Sequence, residues 1–473
     1  MKAIALYGVL QRAEGIPAIR GSVKTGTISV TLADTTVTGI TTAFDTELVV
    51  GNTIYDSTGA EIGVVEVITS AVLMTISPAL IEVTAGEAYS INKITTVSTI
   101  TTTLIANTIT GSGTAFLTDL AEGAYLYDVT GDEVGQIETV TDDVTATLTA
   151  NALVALTAAS FSVGLGAKNA IAALNMNFST ERTSEAFQYV GDELDRDEET
   201  IVTDTFAKFD FEAFLPKLGT IAGADPVITE VPMNEWLQAA GLGIVLSTDT
   251  TGSATATNTV VSNEFLSVEI RRSTADLNSD KTYVLSDARG GLDFDGQIGS
   301  KGKLKYNFEG NIGEVVQKPK LLPEFAQQKV NTAGALKSTS ITLSELVVYT
   351  DENEPALLEV SNVCFDKLVA PNLPGFEYDR YLTSCDDGWS KGAVPSDVTL
   401  TIIEDSADAV YNPDEHVEDK HVLVVRSGTA AGERIELYFS KLTLANVPNS
   451  EVAKYAGQDL AFRSVGNFSL KMS

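Results

Sequence analysis

Residues 184–216 read SEAFQYVGDELDRDEETIVTDTFAKFDFEAFLP, and the second half of this stretch decides the fold class. Thr205, Ala207, Phe209, Phe211 and Ala213 alternate with Phe206, Lys208, Asp210, Glu212 and Phe214. A period of two marks a long strand with two different faces, one apolar and one charged. The first half carries Asp192, Glu193, Asp195, Asp197, Glu198 and Glu199 against a single Arg196. A long two-faced strand fed by a dense acidic loop suits a subunit whose sheet joins a larger wall. Those six acids, with Lys208, Asp210 and Glu212, are the candidate residues of an inter-subunit or channel-facing surface.

The wider composition agrees with strands joined by turns, since Thr and Val abound and helix-favouring runs are few. At 473 residues the chain is long enough for several domains with cores of their own. Acids number 64 against 31 bases, a formal charge of −33. Nucleic-acid binding needs clustered Lys and Arg, so this balance argues against a binder, though not against a conduit that must repel phosphate. Solubility is the plainer role of such charge. Only Cys364 and Cys385 are present, so no disulfide framework supports the fold and a reducing site of synthesis is expected. Pairing of the two with each other stays open. The start, MKAIALYGVLQ, breaks into Gln11-Arg12-Ala13-Glu14 without a small-residue cleavage site, unlike a secretion signal. Residues 144–167 carry no charge, but their Thr, Asn, Ser and Gly fit strands rather than a membrane span.

The first third contains a duplication. Thr38-Gly39-Ile40-Thr41-Thr42-Ala43-Phe44 returns as Thr110-Gly111-Ser112-Gly113-Thr114-Ala115-Phe116, and the same shift of 72 maps Gly51 to Gly123 and Tyr55-Asp56 to Tyr127-Asp128. It also carries Gly63 to Gly135 and Tyr89-Ser90-Ile91 to Phe161-Ser162-Val163 without a gap. Each unit reads as short strands punctuated by glycine, and a small closed barrel or sandwich hides their edges. From Asn169 the texture changes. Asn234–Gly241 is the best short helix, with Asn234 as expected N-cap and Gly241 as C-cap. Strands are expected at 265–271, 282–285, 292–298 and 303–309, then in a second series from Ser340 through Val398–Ile402 and Ile435–Phe439. Leu304-x-Tyr306-x-x-x-Gly310-Asn311 is echoed 156 positions on by Leu460-x-Phe462-x-x-x-Gly466-Asn467, which suggests a second duplication of whole sheet domains.

Chemistry-bearing patterns are thin. His416 and His421 stand five apart among acids, where a helical metal pair prefers four, and a solvated acidic loop is the expectation. Asp195-x-Asp197-x-Glu199 resembles the start of a calcium loop, but Thr200 occupies the position that needs glycine. Gly241-Leu-Gly243 and Gly111-Ser-Gly113 lack a third glycine and read as turns. Trp236 and Trp389 read as core anchors rather than sugar platforms. No nucleophile elbow or Cys–His pair emerges, so no catalytic, cofactor or metal residue is nominated and no enzyme activity is expected.

Arg182-Thr183-Ser184, the acidic loop, the 206–215 strand, Trp236-Leu237-Gln238-Ala239 and the 302–310 strand together resemble tail tube proteins of tailed bacteriophages. So do Ser384-Cys385-Asp386-Asp387-Gly388-Trp389, the 398–403 strand and Glu433-Arg434-Ile435-Glu436-Leu437. The resemblance covers 1–24 and 165–473 and rests on strand patterns. It implies a mainly β fold of tandem tube sandwich or barrel domains with short helices, plus two small β-barrel or sandwich repeat modules. In that frame 1–24 begins the first tube domain, 25–92 and 97–164 are inserted repeats on the exterior, 165–335 completes the domain and 336–473 is the second. The family forms stacked rings in the virion tail, assembled in the host cytoplasm, and a two-domain subunit implies trimeric pseudo-sixfold rings rather than hexamers. Its partners would be further copies, other tail proteins and genomic DNA passing through without specific binding, with no membrane. The rival reading is a carbohydrate- or cell-surface-binding protein, host-surface glycans meeting the repeats. Paired core positions explain Phe44/Phe116 and Tyr55/Tyr127 better than exposed platforms do. A glycoside hydrolase is the third reading, and no carboxylate pair stands out for it.

Overall fold

The alternating stretch lies within one long strand, Glu198–Phe214, with Ala207, Phe209, Phe211 and Ala213 buried and Lys208 exposed. The structure is a computed structural model that describes residues 4–11, 26–48, 53–56, 61–77, 79–81, 83–91, 99–128, 132–159, 161–166, 169–188, 198–215, 233–247, 253–273, 279–297, 302–320, 341–349, 357–362, 365–373, 375–382, 387–403, 420–427, 435–452, 455–464 and 467–472. Asp192, Glu193, Asp195, Asp197, His416, Cys364 and Cys385 lie outside these residues, and for Glu198, Glu199 and Trp389 only the backbone is described. The described chain is mainly β.

After β1 (Ile4–Leu10) come two copies of one small module. The first holds β2 (Thr27–Val30), β3 (Thr36–Ile40), α1 (Phe44–Glu47), β4 (Thr53–Tyr55), β5 (Glu61–Ser70), β6 (Leu73–Ile76), β7 (Val83–Glu87) and β8 (Ser90–Ile91). The second holds β9 (Thr99–Thr102), β10 (Thr108–Ser112), α2 (Phe116–Asp119), β11 (Tyr125–Asp128), β12 (Glu133–Asp142), β13 (Thr145–Leu148), β14 (Leu156–Ala159) and β15 (Phe161–Gly164). Their strand orders, β7-β2-β3-β6-β5-β4-β8 and β14-β9-β10-β13-β12-β11-β15, are the same. Gly39 and Gly111 show why glycine recurs. A Cβ at either would overlap the Thr42 or Thr114 hydroxyl, which bonds the Ala71 or Asp143 carbonyl at 2.7 Å. Phe44 and Phe116 are fully buried, edge-on to Tyr89 and Phe161.

The copies differ in their surroundings. The first closes a core of its own around Ile28, Phe44, Ile54 and Met74. The second shares its core with Tyr7, Val9, Ala170 and Val284 of the body. Asn169 Nδ2 donates to the Gly123 carbonyl at 3.1 Å across this seam.

The body consists of β1 and the strands that follow the modules. These are β16 (Ala170–Ile171), β17 (Leu174–Gln188), β18 (Glu198–Phe214), then α3 (Asn234–Ala239), β19 (Leu242–Ser247), β20 (Ser253–Val261), β21 (Leu266–Ser273), β22 (Ser279–Gln297) and β23 (Lys303–Pro319). The second series is β24 (Ile341–Tyr349), β25 (Leu357–Asn362), β26 (Phe365–Ala370), β27 (Phe376–Leu382), β28 (Asp387–Ala393), β29 (Ser396–Ile403), β30 (Lys420–Ser427), β31 (Ile435–Asn446), β32 (Asn449–Val452), β33 (Tyr455–Ser464) and β34 (Phe468–Met472). All but β27 and β28 join one antiparallel sheet. The sheet contains one pattern twice. Ladders connect β16-β1-β21-β22-β23-β18-β17 in the first unit and β25-β24-β30-β31-β33-β29-β26 in the second, with β34 extending β33. The faint echo lies in register with this pattern: Ile312 faces Leu285 as Phe468, 156 positions on, faces Phe439.

Two ladders sew the units together, Phe294–Gln297 of β22 with Ala370–Lys367 of β26, and Ala254–Thr257 of β20 with Met472–Ser469 of β34. One core runs through both units. At its centre Trp236 of α3 lies edge-on to Phe209, Phe211, Tyr306 and Phe308, while Phe211 stacks on Tyr306 at 4.8 Å. Gly8 leaves room for the indole, because a Cβ there would run into the ring. Two local expectations need correction. Asn234 is not the N-cap but the first helical residue; Met233 precedes it at φ 58, and Asn234 Oδ1 instead accepts from Gln238 Nε2. Ala240 caps the other end, and Gly241 follows at φ 89. The expected strands at 282–285 and 292–298 fuse into β22, because a bulge between Ser286 and Arg289, with Asp287 at φ 51, absorbs the polar interruption.

The unequal burial of the modules gives a test. Deleting 25–92 should leave the thermal midpoint of the body within a few degrees. Deleting 25–164 uncovers Tyr7, Val9 and Val284, each worth about 1.5–3 kcal/mol when buried, so melting should fall sharply. Equal melting of the two deletion variants would contradict the shared core.

Candidate functional site

From β31 the ladders run through β33, β29, β26, β22, β23 and β18 to β17, while β34, which extends β33 along the same edge of β31, leads on to β20 and β19. β18, the strand singled out by alternation, is an inner member, laddered to β17 on one side and β23 on the other. Its neighbour β17 has a ladder on one side only among the described residues. β32, which prolongs β31, is likewise laddered only to β33. Through the repeated pattern β17 corresponds to β26, and the β31–β32 end corresponds to the end of β22. The pairing that β26 and β22 make inside the chain is therefore the one that β17 and β32 leave unmade among the described residues.

The outward face of β17, β18, β23 and β22 is a lattice of charges of opposite sign. Lys208 stands directly opposite Glu309, its Nζ 3.1 Å from Glu309 Oε1 and 3.4 Å from Glu181 Oε2 on the other flank. The hydrogen bond with Glu309 is the leading cause that holds the Lys208 ammonium above the usual lysine range. Lys305 faces Glu212 on one side and Asp293 on the other. Lys303 faces Asp295 and reaches Glu212 Oε2 at 2.7 Å, and that bond holds the Glu212 carboxyl below the ordinary range. Amides fill the gaps: Asn177 donates to Asp210 at 3.0 Å and Asn307 to Asp293 at 2.9 Å.

A cleft of about 340 Å³ opens on this face between Lys208, Asp210, Asp293 and Tyr378. Its wall includes buried Arg289, whose guanidinium lies 3.5 Å from the Tyr378 ring centre and 4.6 Å from that of Phe265. This clamp fastens the β27–β28 hairpin of the second unit to the first. The carboxylates of the cleft are already engaged by amides or by Lys208, which suits a structural surface better than general acid–base work.

A second charged cluster marks the seam near the modules. Glu269 is fully buried, with Arg271 Nη2 and Lys318 Nζ each 2.6 Å from its oxygens, and Arg271 lies 4.9 Å from the Tyr7 ring centre. Burial pushes the Glu269 carboxyl up, but Lys318 and Arg271 outweigh it and hold the group below the ordinary carboxylate range.

Of the residues expected from sequence, Lys208, Asp210 and Glu212 come together on one face as alternation required. His421 does not lie in a solvated loop. It is buried in β30 beside Phe462, because Val422-Leu423-Val424-Val425 draws the strand inward. Among the described residues no group of three or more His, Cys, Asp and Glu could hold a metal ion, and no helix is long and apolar enough to cross a membrane. Glu181, Asp293 and Glu269 were not singled out by sequence; alternation in 303–309 puts Lys303, Lys305 and Glu309 on one face without nominating them for the site. The phasing of Lys303, Lys305 and Glu309 against Lys208 and Glu212 was the available signal, once β18 and β23 are known to pair. The chain matches no protein-family model and no curated protein.

Glu269→Gln leaves buried Arg271 and half-buried Lys318 without their counter-charge and should cost about 3–5 kcal/mol. A depressed folded pKa stabilises the protein above the unfolded value, about 4.3, and that contribution is lost as pH falls through the folded pKa. Urea unfolding at neutral and acid pH should show the gap between wild type and variant shrinking as pH drops. A gap independent of pH would refute the ion-pair account.

Proposed function

We propose that this chain is a structural subunit that assembles through its own sheet edges into stacked rings, the tail tube of a bacteriophage. The observation that carries the reading is the unmade pairing: one joint of a repeating sheet is formed inside the chain, and among the described residues its counterpart is left open at both ends. A strand edge offers a row of backbone donors and acceptors that a second strand can take up. Seating β17 of one copy beside the β31–β32 end of another repeats the β26–β22 joint, so the sheet continues from copy to copy. Such a contact is heterologous and closes when the rotation per copy divides a full turn. Three two-unit chains per ring are the favoured arrangement. The lattice of Lys208, Asp210 and Glu212 then faces a channel through which DNA passes without specific binding, and the modules stand outside. Assembly takes place in the host cytoplasm, and other tail proteins cap the stack.

Electron microscopy of the purified protein should show rings or tubes, where dispersed single molecules would defeat the proposal. The edge pairing has its own check. Asn177 and Asn446 are both exposed and occupy corresponding places at the two open edges. In a Cys364→Ser/Cys385→Ser background, Asn177→Cys with Asn446→Cys should give covalent oligomers on oxidation, the ladder ending at the ring size. Tubes without any cross-link would reject this pair of edges while leaving the tube itself standing.

A further inference from the structure

The chain carries a charge of −33, yet the outward face of β17, β18, β23 and β22 is far from uniformly acidic. Lys208, Lys303 and Lys305 sit in its middle, where a bare ammonium would be a foothold for a passing phosphate. Each stands opposite a carboxylate: Lys208 opposite Glu309, Lys305 opposite Glu212 and Asp293, Lys303 opposite Asp295. We propose that these carboxylates act as masks, cancelling the lysines' attraction for phosphate so that duplex DNA lies against the face without being held. The proposal takes the identity of the passing anion from the tube reading.

Stability alone is a weak reason for the arrangement, since exposed ion pairs contribute little. A face of carboxylates only would repel phosphate as well, but like charges directly across a ladder push the strands apart. Alternation meets both demands. The lysines hold β18, β23 and β22 together against their acids, and the acids leave no lysine with an unanswered charge. Lys208 shows the design most fully, because Glu181 and Glu309 approach it from two different strands. A phosphate must displace both to reach it.

The test is the gain of DNA binding when masks are removed. Binding of a fluorescein-labelled DNA duplex is measured by anisotropy for wild type, Glu181→Gln/Glu309→Gln and Glu66→Gln/Glu138→Gln. The last pair makes the same change of charge at exposed, corresponding positions on the two modules. At low salt the first double variant should bind about ten-fold more tightly than wild type, and the gain should vanish as salt rises. The module variant should behave as wild type. Adding Lys208→Gln to the first double variant should abolish the gain. No gain in a variant with unchanged circular dichroism, or an equal gain in the module variant, overturns the masking. Should the double variant misfold, Glu309→Gln alone is read by the same criteria. The measurement uses dispersed protein, so failure to form rings would count against the tube and leave the masking result intact.

Discussion

A β-strand has hydrogen-bonding groups along both of its edges, and each edge must be met by another strand, by covering chain or by water. That requirement organises the whole body of this protein. The modules answer it locally, each wrapping seven short strands so that few edges remain. The body answers it by lending strands between its units: β26 of the second completes β22 of the first, and β20 of the first completes β34 of the second. What one unit lends to the other inside the chain has no equivalent at the far ends, where β17 and β32 are laddered on one side only among the described residues.

Packing explains why the exchange of strands is firm. The aromatic nest of Phe209, Phe211, Tyr306 and Phe308 around Trp236 belongs to the first unit, but its core continues without a break through Leu400, Phe439 and Phe462 of the second. Aromatic pairs of this geometry contribute about 0.5–1.5 kcal/mol beyond their burial, and Gly8 leaves the room that the Trp236 indole needs to make them. The second module is tied in by the same logic, its apolar face closed by Tyr7, Val9 and Val284. Glu269 sits behind this seam, where removal from water makes its two cations indispensable.

Much of this was legible in the residues. Alternation in 206–214 assigned the correct face to each residue, because a two-sided environment leaves a two-residue period. The module duplication was plain, since tight turns and the buried Phe44/Phe116 positions tolerate little change. The larger duplication left only the echo at Leu304 and Leu460. A sheet unit constrains inward hydrophobicity rather than identity, and different insertions, the modules in one unit and the β27–β28 hairpin in the other, destroy the spacing. The charge lattice was out of reach for another reason. Lys208 and Glu309 are about a hundred positions apart, and nothing local says that they face each other. Glu269 looked like any polar residue in an alternating strand; only the approach of Lys318 from β23 makes it a buried charge. His421 misled because the acids before it suggested a loop, while the valines after it governed where the backbone went.

If copies of the chain associate as proposed, the joint between units has a consequence for how they meet. A single ladder is a hinge, since a strand pair tolerates a range of twist. Here two separate ladders connect the units, and the Arg289 clamp between Phe265 and Tyr378 adds a third point of attachment. Several separate attachments restrict rotation more than one ladder does. If the open edges of β17 and β32 are taken up as β26 and β22 are, the angle between one copy and the next is the angle already built between the units of one chain. Curvature is then decided before any two copies touch, and whether the sheet closes on itself is a property of the folded monomer rather than of its concentration.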